Sequence, residues 1–213
     1  MNFRFAKRSD YKILSQIHFE CGKVQKGGFM HKLGKGFLNQ YYKVYLDEKK
    51  SIILLAEDYD GNALGFSSGT TDASEHLENL RKNRIRFAFA CLPALMKNPF
   101  LIRDILMRER YISSGEGSIS FGVKSGPRGE YWAWRPDSKE IAGSGVLRQM
   151  WIDILARLGC KSFCYELDSM NTDIEKYKKI FNCRVVEELD LPDGRKRVIV
   201  EQSLKAGKAG SKF

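Results

Sequence analysis

Histidine is nearly missing from this sequence, cysteine is sparse and no long apolar run occurs, and each scarcity removes a class of function. Imidazole comes only from His18, His31 and His76, none at metal-ligand spacing from a cysteine. Cys160 and Cys164 have no second pair with which to complete a tetrahedral set, so no metal site is expected. The five cysteines, Cys21, Cys91, Cys160, Cys164 and Cys183, are odd in number, scattered and unaccompanied by a secretory signal. That pattern argues against a disulfide framework and for a reducing, cytoplasmic setting. The stretch FAFACLPALM falls well short of the roughly 20 residues a bilayer-crossing helix needs, and Pro93 interrupts it. A soluble protein is expected, with any membrane contact confined to its surface. The shortage of histidine also disposes of a motif: GFSSG, Gly65 to Gly69, matches the G-x-S-x-G of hydrolases, but such a triad draws its His from far downstream, and His76 is the last in the chain.

Positive charge is abundant. Lys and Arg number 36 against 26 Asp and Glu, a net charge of +10, which suits phosphates, nucleic acid or an anionic membrane surface. No zinc finger or RNP-like motif accompanies the charge, so no nucleic-acid partner is expected. At 213 residues the chain suffices for one well-buried core. A single domain is expected over residues 1–204, with the tail KAGKAGSKF, 205–213, too poor in apolar residues to order.

Periodicity gives the order of elements. NFRF alternates around Phe3 and Phe5 as a strand, and Ser9 and Asp10 are placed to cap a helix through Tyr11, Leu14 and Ile17. A loop rich in Gly and Lys follows, then an amphipathic helix with Phe37, Tyr41, Val44 and Tyr45 on one face. Two β runs flank Asp60-Gly61, a hairpin signal. Residues 75–111 are basic and apolar at helical spacing, broken at Asn98-Pro99, and predict two inserted helices. EYWAWRPD is a strand, and the run from Ala142 begins a helix carrying Val146, Leu147, Met150, Trp151, Ile154 and Leu155. KSFCYELD is a further strand, parallel to the first because a helix connects them. A short helix, TDIEKYKKIF, precedes a terminal hairpin turning at Asp193-Gly194.

One stretch carries chemistry. RPDSKEIAGSGVLRQMW places Ala142, Gly143, Ser144 and Gly145 where a helix begins. Small residues let a backbone approach phosphate, and a helix N-terminus offers unpaired N–H groups and partial positive charge. With the order of elements, this stretch resembles the GNAT superfamily of acetyl-CoA-dependent N-acetyltransferases, over nearly the whole chain apart from the insertion and tail. The family's strand ending near V-x-P is followed by R/Q-x-x-G-x-G/A, whose amides hold the CoA pyrophosphate. Two registers fit. With Gly143 and Gly145 at the family's glycines, Glu140 falls on the Arg/Gln position; counting from Pro136, Lys139 falls there and Ala142 and Ser144 take the small positions. The second register needs no insertion and keeps a cation by the phosphates, so it is preferred.

The resemblance implies an α/β (α+β) fold: a mixed, mostly antiparallel central sheet with one parallel, splayed strand pair, flanked by helices and carrying the helical insertion. It implies acetyl-CoA as co-substrate and direct transfer of the acetyl group to a small-molecule amine. Trp134, Lys139, Ala142, Gly143, Ser144, Gly145 and Asn171 would hold the cofactor. Glu130 would accept the amine's proton, or else be a solvated carboxylate at a strand end. The family's usual Tyr acid is replaced by Lys178; Tyr177, one residue earlier, is either catalyst or core. Lys23, Lys26, Lys32 and Lys35 either favour an anionic acceptor, such as an amino sugar on a nucleotide, or line a solvated loop. The stretch HKLGKGFLNQYYKVYL and the basic insertion resemble members linked to surface-polysaccharide pathways. The inserted helices would form a lid over the acceptor, a dimer surface, or a platform resting on anionic lipid. The alternative activity is none: an acyl-CoA-binding or regulatory module that has lost turnover.

Overall fold

The computed structural model describes residues 1–24, 29–106, 124–168, 183–190 and 196–204. Its frame is a seven-stranded sheet in the order β1-β2-β3-β4-β5-β7-β6. The strands are β1 (Asn2–Phe5), β2 (Ser51–Glu57), β3 (Ala63–Thr70), β4 (Arg128–Trp134), β5 (Ser162–Asp168), β6 (Cys183–Asp190) and β7 (Lys196–Ser203). Neighbours pair antiparallel except β4 and β5, which run parallel. This is the mixed sheet with a single parallel pair that the sequence implied.

Helices cover both faces. α1 (Tyr11–Val24) and α2 (Gly34–Leu46) lie on one, and the helix Ala142–Arg157, here α5, lies on the other. β2 shows why the sequence reads as an unbroken apolar run: Ile53 and Leu55 feed the core beneath α1 and α2, while Ile52, Leu54 and Ala56 feed the core beneath α5. The β2–β3 turn is held by the Asp58 carboxylate, which accepts from the N–H groups of Asp60 and Asn62 at 2.9 and 2.7 Å. Gly61 stands there at φ +83°, where a side chain would be strained.

The GFSSG motif has a packing explanation. All five residues lie inside β3 rather than on a strand-to-helix turn. A side chain at Gly65 would run into the Trp134 ring, and one at Gly69 into the Trp151 ring and the Arg128 carbonyl. Trp151 is fully buried and donates its indole N–H to the Ile52 carbonyl at 3.0 Å. The glycines make room for two indoles.

Several local expectations need correction. Asp10 does not cap α1; it closes a 3-10 turn over Arg8–Asp10 by accepting from the Lys7 N–H at 2.6 Å, and it pairs with Arg4. In α5, Leu147, Trp151 and Leu155 are buried, but Val146 and Met150 face outward, because the stripe follows a period of about 3.6 and spares those two. The insertion has an additional break. α3 (Ala73–Lys82) is capped by the Asp72 carboxylate, and α4 (Arg84–Lys97) starts afresh after Asn83, with helix resuming over 101–106. The short helix at TDIEKYKKIF, the turn at Asp193-Gly194 and the tail lie outside the described residues.

Two outcomes follow for stability. Gly69→Ala should lower the urea midpoint at unchanged m-value, by the ~1–3 kcal/mol that overpacking costs, since both groups it meets, the Trp151 ring and the Arg128 carbonyl, belong to the buried frame. His18, stacked on Tyr131 at 3.7 Å and hydrogen-bonded to Tyr42, has its pKa pushed down to about 3 by burial and, secondarily, by His31. The unfolded chain therefore takes up this proton below its ordinary value while the folded chain does not. Stability is intact above about pH 6.5 and declines below it by up to ~1.4 kcal/mol per pH unit. Between pH 6.5 and 5 the wild type should lose about 1.5 kcal/mol more than a His18→Gln variant in denaturant titrations.

Candidate functional site

β4 and β5 meet at one register, Arg128 opposite Cys164, where the Cys164 N–H donates to the Pro127 carbonyl at 3.1 Å. Each strand is committed on its other edge, β4 to β3 and β5 to β7 over its whole length. Sheet twist then carries the two apart beyond the junction, and a wedge opens toward Trp134 and Asp168. The Arg135 N–H points back to Leu64 on β3 at 2.8 Å. By the alternation of a strand's two edges, the main-chain groups of Trp132 and Trp134 therefore face the wedge. The Trp134 carbonyl accepts from the Cys21 thiol of α1 at 3.2 Å, which ties the end of β4 to the helix above it.

The turn after β4 leads into the N-terminus of α5. Lys139 is exposed on that turn, and Ala142 is the first helical residue. Gly143 and Ser144 close the first turn by donating to the Glu140 and Ile141 carbonyls at 3.1 and 3.0 Å. The small residues divide by role. Gly143 is buried, and a side chain there would press into the Trp134 ring and Met1; Gly145 is exposed, and a side chain there would meet nothing. No acidic residue stands in the helix's first turn. The exposed Ala142 and Gly145 leave the approach to this terminus sterically clear beside the wedge, and the positive end of the helix dipole there suits an anionic group such as pyrophosphate.

Arg148 of α5 was not singled out by sequence reasoning. It is buried, its guanidinium carbon 5.1–5.7 Å from the ring centroids of Trp151, Phe163, Tyr165 and Trp132. A side chain at Gly129 would lie 3.6 Å from its terminal nitrogen. A cation thus sits at the base of the wedge, on the α5 face, among aromatic rings.

On the opposite face the register of β3 and β4 slips between Ser68 and Gly69, leaving Glu130 as the extra residue of a bulge. A bulge turns successive side chains to one side, and Glu130 and Tyr131 both point toward α1 and α2. The Glu130 carboxylate is not solvated as one reading of the sequence had it. It is 2.9 Å from the Arg128 guanidinium and 3.7 Å from His76 Nε2 of α3, with side-chain exposures of 9, 6 and 0%. His76 Nδ1 is 2.8 Å from Glu48 at the end of α2. Burial raises the Glu48 pKa, against the lowering effect of His76. Tyr41 and Tyr45 flank the imidazole, and burial holds both phenols protonated, with Glu130 adding to the effect. Burial works against the Arg128 charge, but Glu130 and Glu166 more than offset it. Arg128 donates to Glu166 of β5 at 3.3 Å, and Glu166 accepts from Arg197 of β7 at 2.9 Å.

The structure thus gathers Glu130 with three groups the sequence did not single out, His76, Glu48 and Arg128, and sets Trp134 beside Gly143. Asn171 and Tyr177 lie outside the described residues. Among the described residues no group of His, Cys, Asp and Glu is arranged to hold a metal ion.

No protein-family model and no curated relative matches the sequence. Solved structures do match. A putative acetyltransferase from Salmonella typhimurium, yncA, with its cofactor acetyl-CoA, superposes with a TM-score of 0.57 at 11% identity, covering 100% of this chain and 99% of that one. An aminoglycoside 6'-acetyltransferase of type Ii superposes at 0.56 and 11% identity, covering 96 and 98%. Arabidopsis thaliana NAA60 in complex with a bisubstrate analogue superposes at 0.56 and 12% identity, covering 97 and 99%. At such identities the likeness is one of architecture: the chain has the fold of the GNAT acetyltransferases.

Proposed function

We propose that this protein is an N-acetyltransferase, acting in the cytoplasm as one domain over residues 1–204, that moves an acetyl group from acetyl-CoA to the amine of a small molecule. The observation that carries the reading is the wedge between β4 and β5 with the sterically clear terminus of α5 beside it, within a fold shared with acetyltransferases. Five free cysteines are in keeping with a reducing compartment.

Acetyl-CoA would lie along the wedge, its pyrophosphate against Ala142, Gly143, Ser144 and Gly145 with Lys139 nearby, its arm beside the main chain at Trp134, and Asn171 completing the site. It supplies an activated acyl carbon. The amine must be neutral to attack, because an ammonium has no lone pair. Glu130 takes that proton, directly or through a water, as the nitrogen bonds to the carbonyl carbon. Arg128 balances its charge, and His76, backed by Glu48, offers a second station for the proton. The carbon–sulfur bond then breaks, and the thiolate needs a proton, for which Tyr177 is the candidate donor. The acceptor binds on the α1–α2 side of the sheet. Lys23 and Lys35 both stand over the Phe19 ring, at 4.8 and 5.2 Å. This pair of exposed cations suits an anionic acceptor, such as an amino sugar joined to a nucleotide.

Gly145→Asp tests the cofactor site cleanly. Its side chain enters open space, and an acidic residue near a helix N-terminus is stabilising, so the fold is retained. Like charges about 4 Å apart repel by roughly 1 kcal/mol in water and more where solvent is partly excluded. Acetyl-CoA affinity measured by calorimetry should therefore fall about tenfold; unchanged affinity would remove the assignment.

Glu130→Gln should lower turnover by about 10²-fold or more while acetyl-CoA affinity is kept, read as thiol release with a panel of amines. Wild-type protein that binds acetyl-CoA but releases no thiol with any amine would favour the binding module instead.

A further inference from the structure

The outer side of α4 is the least expected surface of the molecule. Its inner side is spoken for: Phe87 packs on Phe37 of α2 at 5.7 Å between ring centroids, and Cys91 is buried. The outer side carries Ile85, Phe89, Leu92 and Met96, exposed by 65, 68, 48 and 84%, and continues into Phe100 at 80% and Ile102 and Leu106 at about half. The first four are spaced i, i+4, i+7, i+11, so on a helix they fall within a stripe about 60° wide, directly opposite the buried side. Apolar surface of this extent marks an interaction site on a soluble protein.

The cations around the stripe identify its partner. Arg84 and Arg86 project about 100° to either side of it, and Lys97 about 120° round on the Arg86 side. All three are exposed, and so is Arg103 beyond them. No acidic residue occurs from Arg84 to Ile102, and Asp104, 3.9 Å from Arg103, is the first one after it. Cations flanking an apolar stripe on both sides suit a helix lying in the plane of a bilayer interface: the stripe enters the acyl boundary and the long basic side chains reach back to the headgroups. A second copy of the chain would bring the same basic flanks face to face, an arrangement that costs energy, whereas an anionic headgroup layer matches them. Among the described residues no helix is long and apolar enough to cross a membrane, so the contact is peripheral.

We propose that α4 is a docking surface for anionic lipid bilayers, seating the protein with the Ile85–Met96 stripe in the interface and Arg84, Arg86, Lys97 and Arg103 among the headgroups. This does not depend on acetyl transfer. The test is flotation of the full chain with vesicles of phosphatidylcholine carrying increasing phosphatidylglycerol. Binding should rise with phosphatidylglycerol, fall with salt and weaken about tenfold or more in Arg84→Glu/Arg86→Glu. It should be lost in Phe89→Asp/Met96→Asp. These side chains are exposed, so both variants should keep the wild-type circular dichroism and acetyl-CoA affinity. Absence of binding to anionic vesicles would overturn the proposal, as would equal binding to neutral ones. So would sedimentation velocity showing a dimer that Phe89→Asp/Met96→Asp dissociates, in which case the stripe belongs to a second copy.

Discussion

Arg128 fastens the two halves of the sheet at the one place where they touch. Backbone pairing between β4 and β5 amounts to a single register, too little to fix two strands that each follow another partner. The guanidinium adds what the ladder lacks. It sits between Glu130 of its own strand and Glu166 of β5, and Arg197 extends the chain of charge to β7. Buried ions are costly to desolvate, and such a group is retained only where partners satisfy it closely. Here its position decides where the strands stop being joined, and so where the wedge begins.

That junction also divides the labour of the two faces. On the α5 side, Arg148 and four aromatic rings form the floor of the wedge. On the α1–α2 side, the bulge presents Glu130 to His76 and Glu48. His76 reaches this spot because α3 is inserted between β3 and β4, with its cap at Asp72 placing the first turn over Tyr41 and Tyr45. The insertion is therefore part of the site at one end and a free surface at the other.

Much of this was legible from local pattern. The hairpin at Asp60-Gly61, the alternating strands, the parallel pair around a helix and the Leu147–Trp151–Leu155 stripe all follow from periods of two and 3.6 and from the conformational needs of a turn. What stayed hidden depends on contacts distant in sequence. Nothing around His76 or Glu48 distinguishes them from solvated residues; His76 matters because it meets Glu130 across 54 residues of chain, and Glu48 because it meets His76 across 28. The bulge at Glu130 leaves no trace in composition, since an extra residue is visible only against its partner strand. Helical spacing leaves Arg148 out of the apolar set of α5, and its burial comes from rings supplied by β4, β5 and its own helix. Gly143 belongs to the small-residue pattern at the start of α5, and it also yields space to Trp134.

The same spacing logic bears on how this sequence can drift. Gly65 with Trp134, its partner on the neighbouring strand, and Gly69 with Trp151, on the helix that covers it, are matched pairs of the smallest and the largest side chain. Within each pair, total volume is constrained more tightly than either identity. A lineage that shrinks the indole frees its glycine to acquire a side chain, while one that enlarges the glycine first meets a rigid ring and a backbone carbonyl. Homologues should therefore vary these positions together and in a set order, aromatic before glycine.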